Sequence, residues 1–79
     1  MRKFYFEMEI SDNHYRIFMV KACTLKGAFK RARKYIKRDE FLYQICTRIK
    51  GSSLKQPIWD FMNGNIKKYY EKSGYKLSF

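Results

Sequence analysis

Seventy-nine residues bearing a formal charge of +11 leave room for one domain, expected to span residues 1–79. Aromatic residues make up 19% of the chain, enough for a dense small core, which excludes disorder despite the charge. Two cysteines and one histidine supply no zinc ligand set, and no apolar run approaches the roughly eighteen residues of a membrane span.

The first element is a strand. In KFYFEMEI, residues 3–10, Phe4, Phe6, Met8 and Ile10 alternate with Lys3, Tyr5, Glu7 and Glu9, the pattern of a half-buried strand. Glu7 and Glu9 also break the apolar start of the chain, so the N-terminus reads as neither signal peptide nor anchor. Ser11-Asp12-Asn13-His14 reads as a turn, and YRIFMVKA as the returning strand. A four-residue turn pairs Ile10 with Tyr15, Met8 with Ile17 and Phe6 with Met19, and sets Glu9 beside Arg16.

A helix is predicted from its Thr24 cap to Arg38, with Leu25, Ala28, Phe29, Ala32, Tyr35 and Ile36 as its buried stripe. Gly27 costs up to about 1 kcal/mol there unless it permits a close approach to the sheet. Asp39 and Glu40 end the helix. FLYQICTRIK follows as a strand with Tyr43, Ile45, Thr47 and Ile49 on one face and Cys46 as a buried thiol. A Cys23–Cys46 disulfide stays open on sequence alone.

After a polar loop from Gly51 to Pro57, two readings compete. Asn63-Gly64 between apolar runs favours strands at 58–62 and 66–71, with a last one at 75–79. The stripe Ile58, Met62, Ile66, Tyr69 and Tyr70 instead fits a helix over 58–72, although Asn63-Gly64-Asn65 would weaken its middle. The expected fold is α+β in two layers: one amphipathic basic helix packed on an antiparallel sheet, in the order β-β-α-β-β-β.

Function is carried by charge. Between Thr24 and Arg38 stand seven cations and no acid: Lys26, Lys30, Arg31, Arg33, Lys34, Lys37 and Arg38. Like charges at i,i+3 and i,i+4 repel by a few tenths of a kcal/mol per pair, so a helix of this kind looks made to meet a polyanion. Arg16, Lys21, Arg48, Lys50 and Lys55 are expected to extend the patch. The partners implied are nucleic acid, DNA or RNA, or a nucleoprotein complex, with no membrane and no cofactor or metal. Tyr5, Phe18, Trp59 and Phe61, with Val20, are expected on the sheet face away from the helix, as a homodimer or partner interface or as base-stacking rings. His14 falls in a turn, and no nucleophile–base set or phosphate-cradling loop is present, so catalysis is not expected. A metal-independent ribonuclease toxin is the one enzymatic alternative.

KFYFEMEI with YRIFMVKA as a hairpin, the Thr-capped TLKGAFKRARKYI and the meander from ICTRIK to IKKYY together resemble small phage and mobile-element accessory proteins of the anti-CRISPR type. That resemblance is architectural and spans most of the chain. It implies an intracellular, cytoplasmic inhibitor of a nucleoprotein enzyme such as a CRISPR effector. The charge of +11 excludes the acidic DNA mimicry used by many of those proteins. Direct nucleic-acid binding and inhibition of a nucleoprotein complex are thus the two leading expectations.

Overall fold

A computed structural model describes residues 1–48 and 51–66. The elements are β1 (Arg2–Ser11), β2 (His14–Ala22), α1 (Leu25–Ala32) with a 3₁₀ turn (Arg33–Tyr35), β3 (Phe41–Arg48), β4 (Lys55–Asp60) and the short β5 (Gly64–Asn65). The five strands form one antiparallel sheet in the order β2-β1-β3-β4-β5. Both β2 and β3 run antiparallel to β1 and so lie parallel to each other on either side of it. The helix that joins them must therefore cross β1, which lays α1 over one face of the sheet.

Phe4, Phe6 and Met8 of β1 are fully buried, as their alternation dictates. With Val20, Ala22, Ala28, Ala32, Ile45 and Ile58, Phe4 and Phe6 form the core between sheet and helix. Thr24 caps the helix: its hydroxyl accepts from the Gly27 amide at 3.0 Å. A Cβ on Gly27 would stand 3.3 Å from that hydroxyl and 3.7 Å from the Ala22 Cβ, so the glycine keeps cap and sheet close. Ala28 and Ala32, the smallest residues of the stripe, carry that close approach along the helix.

The hairpin differs from the sequence expectation by one residue. The turn holds only Asp12 and Asn13, with Asn13 at φ 63°, and Ile10 is left unpaired in a bulge between Glu9 and Ser11. Phe6 consequently pairs with Phe18, Met8 with Arg16 and Phe4 with Val20. A one-residue slip reverses every side chain of a strand. Phe18 and Val20 therefore face the helix, while Tyr15, Ile17 and Met19 lie on the outer face. Arg16 is also turned inward, where it meets Glu40 instead of Glu9.

The helix is shorter than the basic run. It tightens into the 3₁₀ turn at Arg33 and stops at Ile36, whose backbone is extended. The Tyr35 carbonyl, which a longer helix would bond internally, accepts from Arg16 Nη2 at 2.9 Å. Two further bulges correct the faces of the later strands. Tyr43 is the extra residue opposite Glu7–Met8, so Leu42 takes the inner position expected of Tyr43. Ile58 is the extra residue opposite Ile45–Cys46, which turns Trp59 inward against Phe29.

A three-residue turn, Phe61–Asn63, joins β4 to β5, with Gly64 at φ 68° opening the returning strand, which excludes a helix across residues 58–65. Asp60 organises it, accepting from the amides of Asn63 at 2.6 Å and Met62 at 2.9 Å. These bonds, the Asn63 amide first, hold the Asp60 carboxyl below its ordinary pKa. Ile49, the strand expected at 66–71 apart from Ile66, and the strand expected at 75–79 lie outside the described residues.

Candidate nucleic-acid interface

On α1 the apolar stripe of Leu25, Ala28, Phe29 and Ala32 faces the sheet. Helical geometry then directs Lys26, Lys30, Arg33 and Lys34 outward, with Arg31 on the flank toward β2. Lys37 and Arg38 follow in the turn after the helix. All seven side chains belong to exposed residues.

Among the described residues the only ion pair is Arg16–Glu40, at 2.6 Å, and it lies beneath the end of the 3₁₀ turn and not on the helix. Arg16 donates from Nε and Nη2 to the two carboxylate oxygens, a bidentate pair, while its guanidinium lies 4.9 Å from the Phe18 ring centre. The Glu40 side chain is only 3% exposed. Its pKa is held below the ordinary value, first by the Arg16 hydrogen bonds and then by the Lys37 amide, and that of Arg16 is raised in return. One of the two acids that follow the basic run is thereby committed inside the fold, while Asp39, beside Arg38, stays exposed. Glu7 accepts from Gln44 on the outer face at 2.5 Å, well away from the helix.

The other expected cations do not all join this ridge. Lys21, on the edge strand, lies beside it across a cleft. Arg48 pairs with Lys55 in register on the face away from the helix, and Lys55 Nζ stands 4.3 Å from the Tyr5 ring centre. Lys50 lies outside the described residues. Of the expected aromatics, Tyr5 is half-buried and Phe61 exposed on the outer face, whereas Phe18 and Trp59 face the helix. The outer face carries a chain of rings instead: Tyr15 to Tyr43 at 6.0 Å, Tyr43 to Phe61 at 5.9 Å and Phe61 to Phe41 at 4.9 Å. Ile17 and Met19 extend it, and all six residues are exposed. Of these, Phe61 was expected on this face. Tyr15, Ile17 and Met19 escaped sequence reasoning because both faces of HYRIFMVKA are apolar and only the hairpin register tells them apart, and Phe41 and Tyr43 escaped it because a bulge at Tyr43 sets their faces.

Two clefts flank the helix. One, of about 320 Å³, lies between β2 and the 3₁₀ turn, lined by Met19, Val20, Lys21, Arg31, Lys34 and Tyr35. The other, of about 310 Å³, is bordered by Leu25, Lys26, Phe29, Trp59 and Asn65. Cys23 is exposed and Cys46 buried, both as free thiols, and burial pushes the Cys46 pKa up to about 11. Among the described residues no group of three His, Cys, Asp or Glu could hold a metal, and no helix is long and apolar enough to cross a membrane. No protein family, curated protein or solved structure matches the chain.

Proposed function

We propose that this protein binds the phosphate backbone of a nucleic acid through the exposed face of α1 and the turn after it, without catalysis. One observation carries the reading. Seven cations crowd a segment of two helical turns and its exit, and the single ion pair among the described residues involves none of them. Uncompensated charge of this density is a standing electrostatic cost that a polyanion relieves by releasing its own counterions. Contacts of this kind fix position along a strand without reading its sequence.

A gel-shift titration of duplex and single-stranded oligonucleotides, DNA and RNA, at two salt concentrations tests it. A shift at micromolar protein that weakens steeply with salt is the expected result. No shift with any of the four at low salt would overturn it.

The exposed outer face favours a second reading, an inhibitor or adaptor that docks on a nucleoprotein complex of the CRISPR-effector kind. Contiguous aromatic and aliphatic exposure on a small domain commonly marks a protein contact. Under that reading a pull-down survives nuclease treatment of the lysate, and Tyr43→Ser with Phe61→Ser abolishes capture. Under direct binding the captured material is lost with the nucleic acid.

A further inference from the structure

The cleft beside β2 combines three features that phosphate tracking alone does not need. An aromatic ring stands at its rim: Tyr35 is 50% exposed, with the Phe18 ring 5.9 Å away behind it. Three cations from two elements border the same space, Lys21 from the edge strand and Arg31 and Lys34 from the helix and its 3₁₀ turn. One of them is held in place. Arg31 Nη1 donates to the Lys21 carbonyl at 2.8 Å and to Met1 Sδ at 3.2 Å, which leaves Nε and Nη2 available as donors at the cleft that Arg31 lines.

We propose that this cleft takes one unstacked nucleotide of a single strand, its base against Tyr35 and its phosphate on Lys21, Arg31 and Lys34. The inference rests on the reading above and names the class of nucleic acid. In a duplex the base faces are covered by their neighbours, so a ring among cations gains nothing there. In a single strand every base offers a face, and stacking on an aromatic side chain adds to the phosphate contacts. Lys34 Nζ lies over the Tyr35 ring, 5.2 Å from its centre, so an incoming base takes the ammonium's place on that face and the flexible lysine swings to the phosphate. A volume of about 320 Å³ is at the small end for ligand clefts, which run from about 300 to 1,000 Å³, and suits one nucleotide and no more. Base identity is not read, because stacking and charge are common to all four.

Fluorescence anisotropy tests the proposal with labelled oligothymidylate, oligouridylate and a mixed-sequence duplex, each of about 12 nucleotides, within the span of known single-strand sites. Tyr35→Leu is expected to weaken both single strands about tenfold and to change duplex binding by less than about twofold, while Tyr35→Phe binds like the parent. Lys21→Gln, an exposed position outside the helix, gives the same selective loss should Tyr35→Leu melt early. Loss confined to the thymidylate or the uridylate identifies DNA or RNA as the strand bound. Equal effects on single strand and duplex, or none from either variant, overturn the proposal while leaving phosphate binding intact. Absence of binding by the parent protein to all three probes refutes the underlying reading as well.

Discussion

Lys26→Glu separates a helix shaped for stability from one shaped for binding. Lys26 is the second residue of α1, whose first turn holds no acid. A cation there faces the positive end of the helix dipole, and a carboxylate in its place gains about 0.3–1 kcal/mol. The introduced carboxylate would also stand four residues before Lys30, in the favourable orientation for a helical ion pair, adding about 0.2–0.5 kcal/mol and removing a repulsion of similar size. The substitution should thus stabilise the fold by about 1 kcal/mol, a rise of about 4–8 °C in Tm for a domain of this length. Binding should move the other way, because one phosphate contact becomes a repulsion and the slope of log K against log salt falls by about 0.9 on duplex. Thermal melting by circular dichroism and anisotropy titrations at three salt concentrations measure both quantities on one sample. A variant that melts higher and binds as tightly as the parent refutes the assignment of this face to a polyanion. One that melts lower refutes the account of the helix.

Lys30→Gln with Arg33→Gln should reduce the salt slope by about 1.8 on duplex, two contacts' worth, without lowering Tm, read from the same titrations. Thr24→Ala removes the hydroxyl that caps Gly27 and should cost about 1 kcal/mol in urea unfolding. A thiol reagent at neutral pH should modify one cysteine, Cys23, in the native protein and the second only in denaturant, because Cys46 is buried with its pKa raised to about 11. Glu40 has its folded pKa lowered, so its pairing with Arg16 stabilises the fold fully above the ordinary carboxylate range. That contribution is lost as pH falls through the folded value, and Glu40→Gln should flatten this part of the acid limb in a stability–pH profile.

The cap, the apolar stripe of α1 and the inward face of β1 were legible in the sequence because each rests on local periodicity. Thr24, Ala28, Phe29, Phe4, Phe6 and Met8 stand where that pattern puts them. The hairpin register was not legible. Tyr15-Ile17-Met19 and Phe18-Val20-Ala22 are both apolar sets, so alternation cannot choose between them, and a two-residue turn with a bulge at Ile10 decides the matter. The bulges at Tyr43 and Ile58 leave no local signature either, since a strand with one extra residue has the composition of a regular one. Arg16 could have served as a clue. A charged residue facing the core is tolerable only beside a carboxylate, and Glu40, next to the end of the basic run, is near enough along the topology to provide one.

That pairing bears on function as well as on fold. A helix of eight residues is too short to persist alone and is held by Leu25, Ala28, Phe29 and Ala32 against the sheet. Its exit is held by Arg16, which binds the Tyr35 carbonyl and the Glu40 carboxylate together. The cations are therefore mounted on a segment fixed at the cap by Thr24, along its length by the core and at its end by an internal ion pair. Were Glu40 exposed instead, it would join Asp39 in setting two carboxylates beside Lys37 and Arg38 at the end of the ridge. Burying that carboxylate against Arg16 does two things at once: it holds the helix exit at Tyr35, and it leaves Asp39 alone, in place of two adjacent carboxylates, exposed at the end of the basic run.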